Sequence, residues 1–371
     1  MRRQLLTLIV FLLVFAVLVV PVAAQDTAFS IRTIPLENTA AYDLRVAPDG
    51  RTAAVFTGQT SLVLLGAPVI EYQVDPSLLP IRMIDLETGA EIARMTDATD
   101  YISDVAFSPD GTLLASYHRN GEIYLWDTVS GELQQRLTVV TGQGKMAFLP
   151  DGKTLVTYLA DSMVGQFLVW DIETGYMTAV WRTEYSNFGE LLLSRSPGNF
   201  DYRYATFALS PDGGWMATAT PNGELTLWDT STLVQSIVQS RGEEMSELMQ
   251  FNIRSMAFSP DSQTLIYYDA LREQTVFWDI ASHAPALTFS GGSHFFGVSP
   301  DMRSLVWATR QEVWFARSDQ PDSVAKVLDF EANLLVGAPS VTFTPDGSSV
   351  IVGGFGTRDE VDNLIYVITF E

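Results

Sequence analysis

The stretch Phe107–Leu133, FSPDGTLLASYHRNGEIYLWDTVSGEL, carries the grammar that decides the fold. Phe107 closes a short apolar run, and Ser108-Pro109-Asp110-Gly111 makes a tight turn. Pro presets φ for the first corner, Asp bonds back to the backbone, and Gly takes the left-handed closing position. Leu113 to Ser116 then reads as a second apolar strand. Glu122 to Asp127 alternates as a third and ends in Trp126-Asp127, and Ser130-Gly131 turns the chain toward a fourth.

The same pattern returns along the chain. Pro-Asp pairs stand at Pro48, Pro109, Pro150, Pro211, Pro260, Pro300 and Pro345, each after a short apolar strand. Gly follows at Gly50, Gly111, Gly152, Gly213 and Gly347, while Ser262 and Met302 take that place in the other two. The strand-ending pair recurs as Trp170-Asp171, Trp228-Asp229 and Trp278-Asp279. By spacing, its counterparts are Ile84-Asp85 in the first unit, Trp314-Phe315 in the sixth and Val367-Ile368 in the seventh. Four short strands per unit, without helical periodicity, form a meander that cannot bury both its faces alone. Packing each sheet against the next in a closed ring solves that problem and leaves few open edges.

These units resemble WD40 repeats over residues 28 to 371, on the combined strength of the Ser-Pro-Asp-Gly turns and the Trp-Asp pairs. The resemblance implies an all-β, seven-bladed β-propeller of four-stranded antiparallel sheets. The seventh unit stops at its third strand, Leu364 to Phe370, while Phe29 to Pro35 is a strand without a unit of its own. The expectation is that this N-terminal strand completes the last blade. The sequence departs from the family at the Gly-His pair and at the Asp that join Ser and Trp in a hydrogen-bonded network. Ala98 aligns with the His, and Asn120 and Asn222 with the Asp. With Ser116 and Trp126 kept, the expectation is a truncated network and heavier reliance on packing.

Residues 1–24 read as a secretory signal peptide: Arg2 and Arg3, an apolar run from Leu5 to Val20, then Val22-Ala23-Ala24 before Gln25. The run is shorter than the roughly 20 residues a spanning helix needs, so the reading is a cleaved leader and an exported propeller over 25–371. An uncleaved tether is the competing form. The chain has no cysteine, which excludes a disulfide scaffold. It also lacks an Asn-x-Ser/Thr acceptor, which leans toward a bacterial periplasmic or extracellular setting. With 44 acidic against 22 basic residues, net −22, it repels phosphate backbones, so nucleic acid is excluded as a partner. No membrane insertion is expected after cleavage.

Extra sequence falls between strands two and three and between blades, at residues 58–80, 159–166, 183–203, 239–252 and 353–363. The 239–252 segment contains Glu243, Glu244 and Glu247 and reads as a short helix with a solvated acidic face. Enlarged loops on one face of a repeat array build its binding surface. Leu64, Ile70, Tyr72, Tyr185, Phe188, Phe200 and Tyr202 are the candidate partner-binding residues there.

No nucleophile–base motif, Gly-rich phosphate loop or zinc ligand set is visible, so no catalytic, cofactor-binding or metal residue is assigned. His118, His283 and His294 read as structural or exposed. Asp97 to Asp104 lacks the spacing of a calcium loop. The repeated turn residues Asp49, Asp110, Asp151, Asp212, Asp261, Asp301 and Asp346 read as structural. The functional expectation is a monomeric scaffold that binds another envelope or extracellular protein. The alternatives are a propeller enzyme of hydrolase, lactonase or quinone-dependent type, and a glycan-binding module on the same face.

Overall fold

The computed structural model describes residues 22–24, 27–36, 43–57, 79–138, 144–160, 164–184, 206–219, 225–232, 234–239, 253, 255–270, 272–293, 295–309, 312–329, 340–353 and 364–370. These residues form strands and turns, with no helix among them, in seven antiparallel sheets. Blade 1 holds Asp43–Val46, Thr52–Phe56, Ile81–Asp85 and Glu91–Met95. Blade 2 holds Ile102–Phe107, Leu113–His118, Glu122–Asp127 and Leu133–Thr138, and blade 3 holds Gly144–Phe148, Thr154–Ala160, Val164–Asp171 and Tyr176–Glu184. Blade 4 is Thr206–Leu209, Trp215–Ala219, Leu225–Asp229 and Gln235–Gln239. Blade 5 is Met256–Phe258, Thr264–Asp269, Gln274–Asp279 and Ala284–Ser290. Blade 6 is Phe296–Val298, Ser304–Ala308, Glu312–Arg317 and Gln320–Asp329.

Blade 7 takes Ser340–Phe343, Ser349–Gly353 and Leu364–Phe370 from the C-terminal end and Thr27–Pro35 from the N-terminal end. The closing pair runs in register from Phe29 opposite Phe370 to Pro35 opposite Leu364. Closure by the N-terminal strand is therefore as expected. Val22–Ala24 adds a short fifth strand outside Thr27–Phe29.

Burial explains why the strands read as they do. Second strands are buried almost throughout, because both faces of each sheet are covered. Fourth strands alternate exposed and buried, as at the rim of blade 1. Among the described residues the core divides into seven apolar clusters, one for each interface between neighbouring blades. The cluster of Phe56, Met83 and Met95 with Leu114, Tyr124 and Trp126 joins blades 1 and 2. The ring is proved closed by the cluster in which Leu44, Val55 and Ile84 of blade 1 pack on Ile34, Ile351 and Ile365 of blade 7. Phe29 also packs edge-on to Phe315 and Phe370, at centroid distances of 6.3 and 5.9 Å, tying the closing strand to blade 6.

Register corrects three details of the sequence reading. Leu114 pairs with Trp126 and Leu305 with Ala316, so Ala316-Arg317, rather than Trp314-Phe315, occupies the Trp-Asp position of blade 6. In blade 7 that position is Ile368-Thr369, one residue beyond Val367-Ile368. The excess expected at 159–166 is strand: Leu159 pairs with Gln166 and Ala160 with Gly165, leaving only 161–163 between the strands.

Candidate interaction surfaces

One face of the ring carries only tight turns. The connection from first to second strand covers five residues in every blade, at 47–51, 108–112, 149–153, 210–214, 259–263, 299–303 and 344–348. In blade 2 the Ser108 hydroxyl donates to Asp110 Oδ1 at 2.7 Å, and Asp110 accepts the Thr112 N–H at 3.0 Å. Those bonds hold the Asp110 carboxyl below its usual range, with the Ser108 contact the leading cause. Gly50 and Gly111 close their turns at φ of 68° and 73°, and Ser262 and Met302 adopt the same left-handed conformation at 61°. Each Asp of the repeated turns is thus committed to its own loop.

The third-to-fourth turns share this face and depend on the Asp of the Trp-Asp pair. Asp127 Oδ1 accepts the N–H groups of Val129 and Ser130 at 3.0 and 2.7 Å. The same cap recurs at Asp85, Asp171 and Asp229. Where the chain makes a two-residue hairpin at 318–319 in blade 6, or makes no such turn in blade 7, the Asp is absent.

The opposite face receives the long connections, across 57–80, 185–205, 240–255, 330–339 and 354–363. Leu64, Ile70, Tyr72, Tyr185, Phe188, Phe200 and Tyr202 lie outside the described residues, as does all of the 239–252 segment except Gln239. Asn222 and His294 do too.

Asp104 lies on the first strand of blade 2 and straps three blades together. Its buried carboxylate accepts the Met146 N–H of blade 3 at 2.9 Å. Arg45 of blade 1 and Lys145 of blade 3 approach it at 3.5 and 3.4 Å. Among the described residues no group of His, Asp or Glu side chains gathers to hold a metal ion.

Blade 2 also contains a buried polar chain that the sequence reading missed. Trp126 Nε1–H donates to Ser116 Oγ at 2.8 Å, and Ser116 Oγ lies 2.8 Å from His118 Nε2. His118 Nδ1 lies 2.8 Å from the Asp100 carbonyl, which can only accept. That fixes the proton on Nδ1 and makes Ser116 the donor to Nε2. The expectation of a truncated network is therefore overturned in this blade. Period-two geometry puts Ser116 and His118 on one strand face, so a histidine two residues after the serine replaces one before the first strand. Burial pushes the His118 pKa down to about 4.

The other blades keep less of the chain. Trp228 Nε1 donates to Thr218 at 3.0 Å and Trp170 Nε1 to Thr157 at 3.3 Å. In blade 5 the matching position is Tyr267, and the buried Trp278 Nε1 has no hydrogen-bond partner. Blades 1, 6 and 7 substitute the apolar pairs Val55/Ile84, Trp307/Ala316 and Val352/Ile368.

A cleft of about 550 Å³ opens on the turn face at the closing seam between blades 7 and 1. Its lining includes Arg32, Asp49, Arg51, Glu87, Asp346 and Thr369. Arg32 of the closing strand donates across the seam to the Glu87 carbonyl at 3.1 Å and to that of Leu86.

The model of the WD domain, G-beta repeat, matches residues 89–127. That span starts before the fourth strand of blade 1 and ends with the third strand of blade 2. The β-propeller domain of Cps50 (Swd1) from Myceliophteria thermophila superposes with a TM-score of 0.60 at 12% identity, covering 90% of this chain and 98% of that one. The protein is a seven-bladed β-propeller with a WD40 repeat in its sequence.

Curated relatives of this propeller include the periodic tryptophan protein 2 homolog of Schizosaccharomyces pombe, 24% identical over 184 residues. That match covers 47% of this chain and 21% of the relative. The small ribosomal subunit protein RACK1y of Oryza sativa is 26% identical over 132 residues, or 35% of each chain. The WD40 chain thus spans about a third or less of these relatives' lengths. The offset between sequence repeat and blade explains the closure. Each repeat supplies one blade's fourth strand and the next blade's first three, so the chain opens with the strand its last blade lacks.

Proposed function

We propose that this WD40 propeller is an exported protein–protein interaction scaffold that binds its partner through the long-loop face. The supporting observation is the one-sided division of connections. Every first-to-second turn takes five residues, whereas the opposite face carries all the extended ones. A pinned ring with hydrogen-bonded turns behind it presents those loops with little ordering cost. The leader at residues 1–24 supports export. Its removal takes away the outermost strand Val22–Ala24 and leaves blade 7 with four strands.

Site-specific photo-crosslinking in the producing cell tests the face. Probes at Tyr72 and Tyr202 are expected to capture one discrete protein partner, and probes at Thr88 and Thr112 on the turn face to capture none. The reverse pattern would overturn the reading. Export is tested by the mature N-terminus, expected at Gln25.

A further inference from the structure

The seam between blades 7 and 1 joins the two ends of the chain. In blades 1 to 5 the third strand ends in an Asp that caps the turn to its own fourth strand, as Asp85, Asp127, Asp171, Asp229 and Asp279 do. Blade 7 makes no such turn, because its fourth strand arrives from the N-terminal end. Thr369 stands in the Asp position instead, and its hydroxyl lies 2.9 Å from that of Ser349. The cleft of about 550 Å³ opens beside this pair, between strands Ser349–Gly353 and Leu364–Phe370 of blade 7 and the turns of blade 1. Its size falls in the range of about 300–1,000 Å³ typical of small-molecule sites.

The cleft combines an apolar floor with a rim of both charges. Leu86, Ile351 and Val367 are its buried apolar side chains. Arg32 spends two of its five N–H groups on the Leu86 and Glu87 carbonyls, which fixes the guanidinium and leaves further donors. Arg51 is anchored by its backbone. Its N–H donates to Asp49 Oδ1 at 2.8 Å, and its carbonyl accepts the Leu86 N–H at 2.7 Å. Asp49 and Asp346 bond the backbone of their own turns through Oδ1, while their Oδ2 atoms accept only a hydroxyl, from Thr52 and Ser348. Each Oδ2 can accept one more hydrogen bond.

These groups select by charge. Two guanidiniums oppose a simple cation, and three carboxylates, those of Asp49, Glu87 and Asp346, oppose a phosphate or other polyanion. The described lining contains no aromatic ring, so it offers no stacking platform for a sugar or a base. The ligand that fits carries one charge of each sign and an apolar body. We propose that the seam cleft binds a short free peptide of apolar residues through both of its ends. The peptide carboxylate meets Arg32 and Arg51, the ammonium meets Asp49 and Asp346 at their Oδ2 atoms, and the side chains cover Leu86, Ile351 and Val367. The cleft lies on the turn face, so it and the loop-face scaffold can fail independently.

The test uses the full chain and the dipeptide leucyl-leucine, with affinity read by isothermal titration calorimetry. Its two controls are N-acetyl-leucyl-leucine, which lacks the ammonium, and leucyl-leucinamide, which lacks the carboxylate. The dipeptide is expected to bind one-to-one and at least ten-fold more tightly than either control. It is also expected to slow amide hydrogen exchange in 48–52 and 344–351. Arg51→Gln is expected to weaken the dipeptide at least ten-fold and to leave leucyl-leucinamide unchanged, a pattern that a merely structural role would not give. Thermal melting separates lost binding from lost fold, and Arg51→Lys is the milder change. No binding at millimolar dipeptide, equal binding by Arg51→Gln and wild type, or protection elsewhere would overturn the proposal. Equal binding of the acetylated peptide would overturn it in favour of a simple carboxylate, and equal binding of the amide in favour of a simple cation.

Discussion

His118 Nε2 lies 2.8 Å from Ser116 Oγ, the oxygen that also accepts the indole N–H of Trp126. This pair joins the second and third strands of blade 2 by side chains, in addition to their backbone ladder. Replacing His118 by Leu leaves the Ser116 hydroxyl and the Asp100 carbonyl without it, in a site where all three neighbours are packed. A loss of about 2–3 kcal/mol is expected in urea unfolding. A loss below about 0.5 kcal/mol would show that the chain does not support the blade.

The same histidine sets a pH dependence. Burial lowers its native pKa to about 4, against 6.5 for the free side chain, with the Asp100 carbonyl working in the opposite direction. Its contribution is fully present above about pH 6.5, where the unfolded chain is also neutral at this site. It declines as pH falls from 6.5 toward 4, by about 1.4 kcal/mol per pH unit, because the unfolded chain binds a proton that the native site refuses. Denaturant melts at pH 7.5, 5.5 and 4.5 are expected to show that slope, and His118→Gln to reduce it. Turn carboxylates such as Asp110 and Asp127 have lowered native values, so their contribution is lost at still lower pH.

The tryptophans of blades 2 and 5 occupy equivalent places with unequal bonding. Trp126→Phe removes a made hydrogen bond, whereas Trp278→Phe removes a buried N–H that has no partner. Trp126→Phe is expected to cost at least about 1 kcal/mol more than Trp278→Phe in parallel unfolding curves. Equal costs would contradict the assignment of Tyr267 to the missing hydroxyl position.

Asp104 is a structural strap. Asp104→Ala abandons the Met146 N–H and two nearby cations, and a loss of about 2–3 kcal/mol is expected in thermal or denaturant unfolding. Arg45→Ala, at a half-exposed partner, is expected to cost well under 1 kcal/mol.

The closing seam can be probed at one turn. A Cβ on Gly50 would sit 2.9 Å from Pro345 Cδ of blade 7, while one on Gly152 would meet Pro109 Cδ at 3.8 Å. Both positions have positive φ, so both Ala variants carry the left-handed penalty of about 1–2 kcal/mol. Gly50→Ala adds a clash and is expected to be the worse by about 1 kcal/mol or more. Equal melting temperatures would indicate that the first and last turns do not touch.

Most of the ring was legible in the sequence because each Pro-Asp turn names its own strand boundaries by local chemistry. The closing strand was legible for the same reason, since a unit short of one strand needs one from elsewhere. In blade 6 Trp314 mimics the strand-ending Trp two residues early, because a short hairpin there replaces the Asp-capped turn. His118 lies away from the family's usual place before the first strand, and its signal in the sequence is Ser-x-His on one strand face. Asp104 gave no local sign, since its partners come from sequence positions 45, 145 and 146 and meet it only when three blades stack. The candidate loop residues fall outside the described residues, and their place rests on the one-sided pattern of connections.

Closure of the ring by its own N-terminus is most directly measured with a disulfide. Ser30 stands opposite Thr369 across the closing pair, where facing Cα atoms are about 4.5–5.5 Å apart, within disulfide reach. The natural chain has no cysteine, so Ser30→Cys/Thr369→Cys introduces a unique pair. Mild oxidation of the folded protein is expected to give a monomer with an intramolecular bond joining the two peptides in mass spectrometry, and a raised melting temperature. Two free thiols after oxidation, or only intermolecular bonds, would contradict a ring closed by that strand.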